Sequence, residues 1–389
     1  MKKSAALKHR EVPAQARRVS SQTGQVAPYW RAPLMGAAVL VLLASLWGGL
    51  LRMGWDLPLL QPSLAGAHGS LMVAGFFGTL ISLERAVALR TRWAYLAPAL
   101  NAMGGLLLMA GMKGLLPAAL LTAGSYGLVL VFVEIIRRHW TRYTLVMGAG
   151  ALSLAVGNSL WILGWPVYRL VLWWAAFLIL TIAGERLELG RLARLPRRVE
   201  DTFSLALFVF LSGLLLCIFL PDPGLRLASL GLLGLVLWLI RYDIARKTVR
   251  QYGLPRFAAL CLLSGYAWLV VAGLIGLSYG AVPAGFLYDA FLHAIFLGFV
   301  FAMIFAHAPI IFPAILDLPI KFDRLHYIPL LLLHSSLLLR IVGDLAFLPQ
   351  LRMWGGLLNG VTILVFLILS ARSVLKGVKE RAASHTVGL

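Results

Sequence analysis

The chain has 389 residues, of which 60% are hydrophobic and only 13% are charged. Its mean hydropathy of +0.87 lies far above the range of soluble domains, which excludes a soluble globular protein and indicates a membrane protein. The formal net charge of +20 would suit a nucleic-acid partner, but the cations alternate with apolar segments, and membrane topology accounts for them instead.

About twelve apolar runs follow one another along the chain, each close to the roughly 20 residues that a helix needs to cross a bilayer. Because lipid cannot satisfy open strand edges, the predicted fold is an all-α polytopic membrane helix bundle with about twelve transmembrane helices. The predicted spans are residues 33–53, 66–88, 94–112, 115–136, 143–164, 167–187, 202–220, 225–243, 257–278, 286–312, 327–345 and 353–374.

The distribution of the cations predicts the orientation. With the N-terminus inside, roughly 29 of the 35 Lys and Arg residues fall on the inner side and roughly 6 on the outer side. We therefore expect a multi-pass membrane protein in contact with anionic lipids, with both termini in the cytoplasm and no nucleic-acid partner. The predicted parts are a basic cytoplasmic tail (1–30), a transmembrane domain (31–375) and a cytoplasmic C-terminal tail (376–389).

A weak internal repeat relates two of the spans. The second span ends in ERAVALR (Glu84 to Arg90) and the sixth in ERLELGR (Glu185 to Arg191), four crossings apart. Two unrelated helix ends with charged caps are the alternative interpretation. A four-helix unit used three times would place spans two, six and ten at equivalent positions around a ring.

Only two cysteines occur, Cys217 and Cys261, both in predicted spans and without a CxxC partner. We expect them to be buried packing residues. Four of the eight histidines, His68, His293, His307 and His334, also lie within predicted spans. Ionisable groups at membrane depth are costly and usually mark a functional site that faces the bundle interior.

The four histidines form two pairs by depth. His68 and His293 lie near the outer ends of spans two and ten, whereas His307 and His334 lie in the inner half. In a regular helix, the spacing of His293 and His307 gives roughly 1400° of rotation, so both rings would point within about 40° of one direction, about 21 Å apart along the axis. We predict that His307 and His334 face one cavity, near enough to share a metal ion, a hydrogen bond or a water. A second haem or a copper ion could bind there, but two nitrogens alone make an incomplete copper site.

Two imidazoles from facing helices at one depth are what a six-coordinate haem iron needs. We therefore predict a haem b between His68 and His293, because no CxxCH motif for covalent attachment occurs. Arg340, near Asp344, is the best-placed cation for the haem propionates, with Arg52 and Arg169 as weaker choices. Four glycines beside these histidines would allow close approach of a flat ring, or serve ordinary helix packing: Gly69, Gly75, Gly78 and Gly298.

The segments HGSLMVAGFFGTLISLERAVAL and DAFLHAIFLGFVFAMIFAHAPIIFP, within about twelve spans, resemble the NnrS family and, more distantly, subunit I of the haem-copper oxidases. The oxidase resemblance implies pseudo-threefold four-helix repeats, with His68 and His293 as ligands of the low-spin haem. The NnrS resemblance implies a haem-containing inner-membrane protein linked to nitric oxide and denitrification.

The chain departs from the oxidase pattern in ways that affect function. Spans six and seven contain no histidine, where the oxidases have three copper ligands, and Trp173 and Trp174 are prominent in span six instead. Three functions stay open: a redox or gas-handling haem protein of NnrS type, a haem-dependent membrane oxidoreductase that reduces nitric oxide or oxygen, and a membrane transporter for a small molecule or metal. The sequence does not identify an electron donor.

Overall fold

The computed structural model describes residues 28–191, 195–318 and 322–386, and within these ranges it is helical with no β-strand. This confirms the predicted all-α membrane bundle. The N-terminal tail lies almost wholly outside the described residues. The helices are α1 (Pro28–Arg52), α2 (Leu64–Leu89), α3 (Leu96–Met109), α4 (Leu116–Arg138), α5 (Arg142–Ile162), α6 (Val167–Gly190), α7 (Arg197–Leu216), α8 (Pro221–Tyr242), α9 (Leu254–Tyr279), α10 (Phe286–Leu316), α11 (Tyr327–Leu345) and α12 (Pro349–Thr386).

Eleven helices in the described ranges are long and apolar enough to cross a membrane. The third predicted span corresponds to α3, which has 14 residues and follows a short 3₁₀ turn at Arg92–Tyr95. At 1.5 Å per residue, α3 is about 21 Å long, shorter than a hydrocarbon core of about 30 Å. Helix α12 continues to Thr386, so the segment predicted as a C-terminal tail extends the last helix.

Local sequence signals set several helix ends. Thr141 begins α5 with a capping box, in which its side chain and that of Thr144 each accept from the other's backbone N–H. Proline occupies the first turn of α4, α8 and α9, where its missing N–H costs no hydrogen bond. Gly280 follows α9 with φ of +66°, a conformation that side-chain-bearing residues rarely adopt. The bundle is thus divided into helices joined mostly by short connections.

Helices α2, α6 and α10 form the centre of the bundle. Their most apolar stretches are 72%, 83% and 67% buried, whereas those of the other spans are between 22% and 50% buried. Most of the remaining helices pack as sequential antiparallel pairs, among them α3 with α4, α7 with α8 and α11 with α12. One inner helix in each group of four is what a threefold use of a four-helix unit would produce.

The two copies of the E-R motif meet in space. Arg85 of α2 bonds both Glu84 and, across the helix interface, Glu185 of α6. Arg186 turns away and pairs with the buried Asp243 at 3.0 Å. The repeated motif therefore joins the ends of two central helices on the side of the bundle opposite the one at which α1 ends.

Candidate functional site

A cavity lies at the end of the bundle where α1 ends at Arg52 and α2 begins. We call it the histidine cavity. Its volume is about 300 Å³, and helices α1, α2, α6, α10, α11 and α12 all contribute to its wall. The polar groups and glycines that line it include Gly49, Arg52, Gly66, His68, Gly69, Tyr288, Asp289, His293, Arg340, Arg352 and Asn359. A mostly apolar cavity with a few convergent polar groups is typical of a ligand-binding site.

The imidazole rings of His68 and His293 lie together in this cavity, 6.5 Å apart between ring centroids and with 17° between their planes. A histidine nitrogen binds a metal ion at about 2 Å, and that nitrogen lies about 1 Å from the centre of its own ring. Two imidazoles that bind one ion from opposite sides therefore have ring centroids about 6 Å apart. The observed separation matches that arrangement and is longer than a close ring contact. The two histidines predicted to be partners are thus brought together.

The Nδ1 atom of each ring is already bonded to the main chain. His68 Nδ1 lies 2.7 Å from the carbonyl oxygen of Ser45, and His293 Nδ1 lies 2.9 Å from that of Asp289. Because a carbonyl oxygen only accepts, each Nδ1 carries the hydrogen and each neutral ring keeps its lone pair on Nε2. This is the usual arrangement of metal-binding histidines, and both rings are therefore set to bind through Nε2.

Each of the two histidines stands just before a π-helical segment. In α2, residues Leu71–Phe77 are π-helical, and in α10 the segment is Ala294–Phe301. Wide turns of this kind occur frequently at functional sites. They also turn the residues that follow by about 100° for each extra residue, so the face predicted for His307 from regular helix geometry does not apply. No signal in the sequence indicated these segments.

The glycines of the site have two different roles. A Cβ atom added at Gly66 or Gly69 would meet no atom within 4 Å, so both residues leave open space in the histidine cavity. The other predicted glycines serve helix packing: Gly75 contacts Val41 and Gly105, Gly78 contacts Asn101, and Gly298 contacts Trp268. Of the four predicted glycines, only Gly69 lines the cavity.

Charged residues form a network at the edge of the cavity. Arg340 donates from Nε and Nη2 to the two carboxylate oxygens of Asp289, at 2.8 and 2.9 Å. Arg352 lies 3.4 Å from Asp289 and 3.1 Å from Asp344. Arg340 therefore pairs with Asp289 rather than with Asp344, its neighbour in the sequence. The i,i+4 spacing of Asp289 and His293 was the signal that could have shown Asp289 as part of the site.

The weaker cation candidates are also resolved. Arg52 lines the histidine cavity, and its side chain makes no hydrogen bond or ion pair with another described residue. Arg169 instead donates to the carbonyl oxygen of Ile218 at 2.9 Å and stacks on Trp165. Trp174, one of the two tryptophans noted in span six, lines the cavity and donates to Asn158 Oδ1 at 2.9 Å.

His307 and His334 have different surroundings. His307 lines a separate cavity of about 70 Å³ together with Glu84 and Glu185, and His334 is not among the residues that line it. His334 Nδ1 accepts a hydrogen bond from Trp268 Nε1 at 2.9 Å. Since Trp only donates, the neutral ring of His334 carries its hydrogen on Nε2 and has no lone pair there for a metal ion. In the described ranges, no group of three or more His, Cys, Asp or Glu residues could hold a metal ion.

Both cysteines are free thiols, Cys261 buried within α9 and Cys217 half-buried just beyond the end of α7. Burial raises the pKa of the Cys217 thiol to about 12, against a smaller lowering effect of Arg169. Cys217 is therefore uncharged at neutral pH.

Comparison with curated proteins and with solved structures finds no match. A comparison with protein families matches residues 31–375 to a family described as a domain of unknown function, DUF8744. Because this match covers nearly all of the described helices, the chain belongs to the DUF8744 family.

Proposed function

We propose that this protein binds haem b in the membrane through His68 and His293 and takes part in one-electron redox chemistry of the NnrS type. The observation that carries the proposal is the pair of near-parallel imidazoles, 6.5 Å apart in one cavity, each with Nδ1 held by a main-chain carbonyl. Such a pair would hold a haem iron through one nitrogen of each ring.

The residues around the pair fit a porphyrin. Gly66 and Gly69 leave open space beside His68, and Met72, Phe296 and Leu297 give the cavity an apolar wall. A porphyrin also carries two carboxylates, which need cations at the cavity edge. The Arg52 side chain makes no hydrogen bond or ion pair with the described residues, so it is better placed for this role than Arg340, whose Nε and Nη2 are bonded to Asp289.

When bound, haem b supplies an iron that changes reversibly by one electron. In this site His68 and His293 would hold the metal, while the apolar wall excludes water. An iron held by both His68 and His293 would have no place left for a gas, which favours electron transfer over reduction of nitric oxide or oxygen. The hydrogen bond from Trp268 disfavours copper at His334.

Three further parts of the proposal rest on the sequence. The link to nitric oxide and denitrification comes from the resemblance to the NnrS family. The bacterial inner membrane and the cytoplasmic termini come from that resemblance and from the cation distribution.

The test is the absorption spectrum of the protein purified in detergent and supplied with haem. We expect a low-spin spectrum on reduction, typical of two imidazole ligands, and loss of haem or of the low-spin form in His68→Ala and in His293→Ala. His307→Ala is the matched control, since His307 lines a different cavity, and it should keep the spectrum.

Two results would contradict the proposal. One is a low-spin spectrum that survives in both His68→Ala and His293→Ala. The other is a wild-type protein that binds no haem, which would favour a transporter. Gas consumption by the haem-loaded protein with an electron donor would instead favour a reductase.

A further inference from the structure

The two histidines of the cavity differ in what lies behind them. His68 Nδ1 contacts only neutral groups, the carbonyl oxygen of Ser45 at 2.7 Å and its hydroxyl at 3.2 Å. His293 Nδ1 lies 2.9 Å from the carbonyl oxygen of Asp289 and 3.3 Å from its carboxylate oxygen Oδ1. One ring is thus backed by neutral dipoles and the other by an anion.

This anion belongs to a chain of alternating charges. Arg340 donates two hydrogen bonds to the Asp289 carboxylate, and Arg352 lies 3.4 Å from the same carboxylate. Asp344 pairs with Arg352 at 3.1 Å. The side chains of Asp289 and Arg340 are 11% and 8% exposed, so solvent screens them little. The electrostatic potential at Nδ1 of His293 therefore depends on the negative charge of Asp289 and on the positive charges of Arg340 and Arg352 beside it.

We infer that Asp289 and Arg340 are positioning residues that set the electron affinity of a metal bound by His293, with opposite signs. A carboxylate behind Nδ1–H orients the ring and makes Nε2 a stronger donor, which stabilises the oxidised metal. Arg340 withdraws part of that negative charge and so stabilises the reduced metal. This inference rests on the proposed haem site, and it assigns a role to the charge network that the haem proposal does not require.

The test is a redox titration of the haem-loaded full-length protein in detergent, with the low-spin spectrum recorded for each variant. Asp289→Asn keeps the shape of the side chain and removes the anion, so the ratio of reduced to oxidised haem at a fixed potential should rise about tenfold, which is about 59 mV for a one-electron couple. Arg340→Gln should lower the ratio by a similar factor.

The controls are charged residues that lie farther from His293 or are more exposed to solvent. Arg352→Gln should lower the ratio less than Arg340→Gln, because Arg352 lies farther from Asp289 and is 25% exposed. If Arg340→Gln does not fold, Arg352→Gln carries the test with the same sign. Asp201→Asn removes an exposed carboxylate that does not line the cavity, so it should leave the ratio within twofold of the wild type.

The inference fails if Asp289→Asn keeps the low-spin spectrum without a shift, or if Asp289→Asn and the arginine variants shift in the same direction. It also fails if Asp201→Asn shifts the ratio as far as Asp289→Asn. In each case a wild-type low-spin spectrum would leave the proposed haem site standing. A wild-type protein that binds no haem overturns both proposals.

Discussion

Replacement of Asp243 by Ala tests how strongly the buried charges hold the central helix α6 in place. The Asp243 side chain is fully buried, and the Arg186 side chain opposite it at 3.0 Å is 5% exposed. Asp243 also accepts from the hydroxyl of buried Tyr266 on α9 and from the backbone N–H of Ala245 at 2.8 Å. One carboxylate therefore links α6, α9 and the connection after α8.

The magnitude follows from what Asp243→Ala leaves behind. A buried ion pair that loses one partner costs about 3–5 kcal/mol, because the remaining charge stays desolvated without compensation. Each buried donor left without an acceptor, here on Tyr266 and Ala245, adds about 1–3 kcal/mol if water does not reach it. We expect a loss of roughly 5 kcal/mol in the free energy of unfolding, or a midpoint lower by roughly 10 °C or more. The shift in midpoint is measured by thermal unfolding of the detergent-solubilised protein, followed by tryptophan fluorescence or by a thiol-reactive fluorescent dye.

Two variants provide the comparison. Asp243→Asn keeps an acceptor for the backbone N–H of Ala245, so its free energy of unfolding should lie between those of the wild type and Asp243→Ala. Asp201→Ala removes a pair with Arg142 of 2.8 Å whose side chains are 57% and 38% exposed, and it should cost about 0.2–1 kcal/mol. If Asp243→Ala and Asp201→Ala lost equal free energy of unfolding, burial would not explain the strength of the Asp243 pair and the reasoning would be refuted.

The remaining predictions concern the cavity, the thiol and the topology. Gly69→Phe should fill the histidine cavity and abolish haem binding with nearly unchanged thermal stability, whereas in Gly75→Phe the new side chain would collide with Val41 and Gly105 and destabilise the fold. Equal haem binding by Gly69→Phe and the wild type would refute the prediction. Alkylation of Cys217 by N-ethylmaleimide, followed by mass spectrometry, should be slow at pH 7 and rise about tenfold between about pH 7 and pH 8, because burial raises the pKa of this thiol and only the thiolate reacts; rapid labelling at pH 7 would contradict a raised pKa. Reporter fusions should be cytoplasmic at the C-terminus and after Arg198 and periplasmic near Pro221, and a periplasmic C-terminus would reverse the predicted orientation.

The sequence predicted the site as far as depth along each helix allows. His68 and His293 could be paired because both lie near one end of helices that run in the same direction, and the structure brings their rings together. The pairing of His307 with His334 used the same argument, but the sequence shows the depth of a residue along a helix much better than the direction in which its side chain points. His334 consequently meets Trp268, while His307 lines a cavity with Glu84 and Glu185.

Composition and the positions of apolar runs determined the membrane class, the helical fold and nearly all of the spans, because a lipid environment leaves the backbone no other solution. The tertiary structure alone decided which partner each buried charge takes. Arg340 and Asp344 are close in sequence, yet Arg340 bonds to Asp289 on another helix. The π-helical segments after His68 and His293 were likewise decided by packing around the central helices, since their residues, LMVAGFF and AIFLGFVF, are compatible with a regular helix. Helix rotation and interhelical pairing depend on contacts between segments far apart in the chain, and those contacts exist only once the bundle has formed.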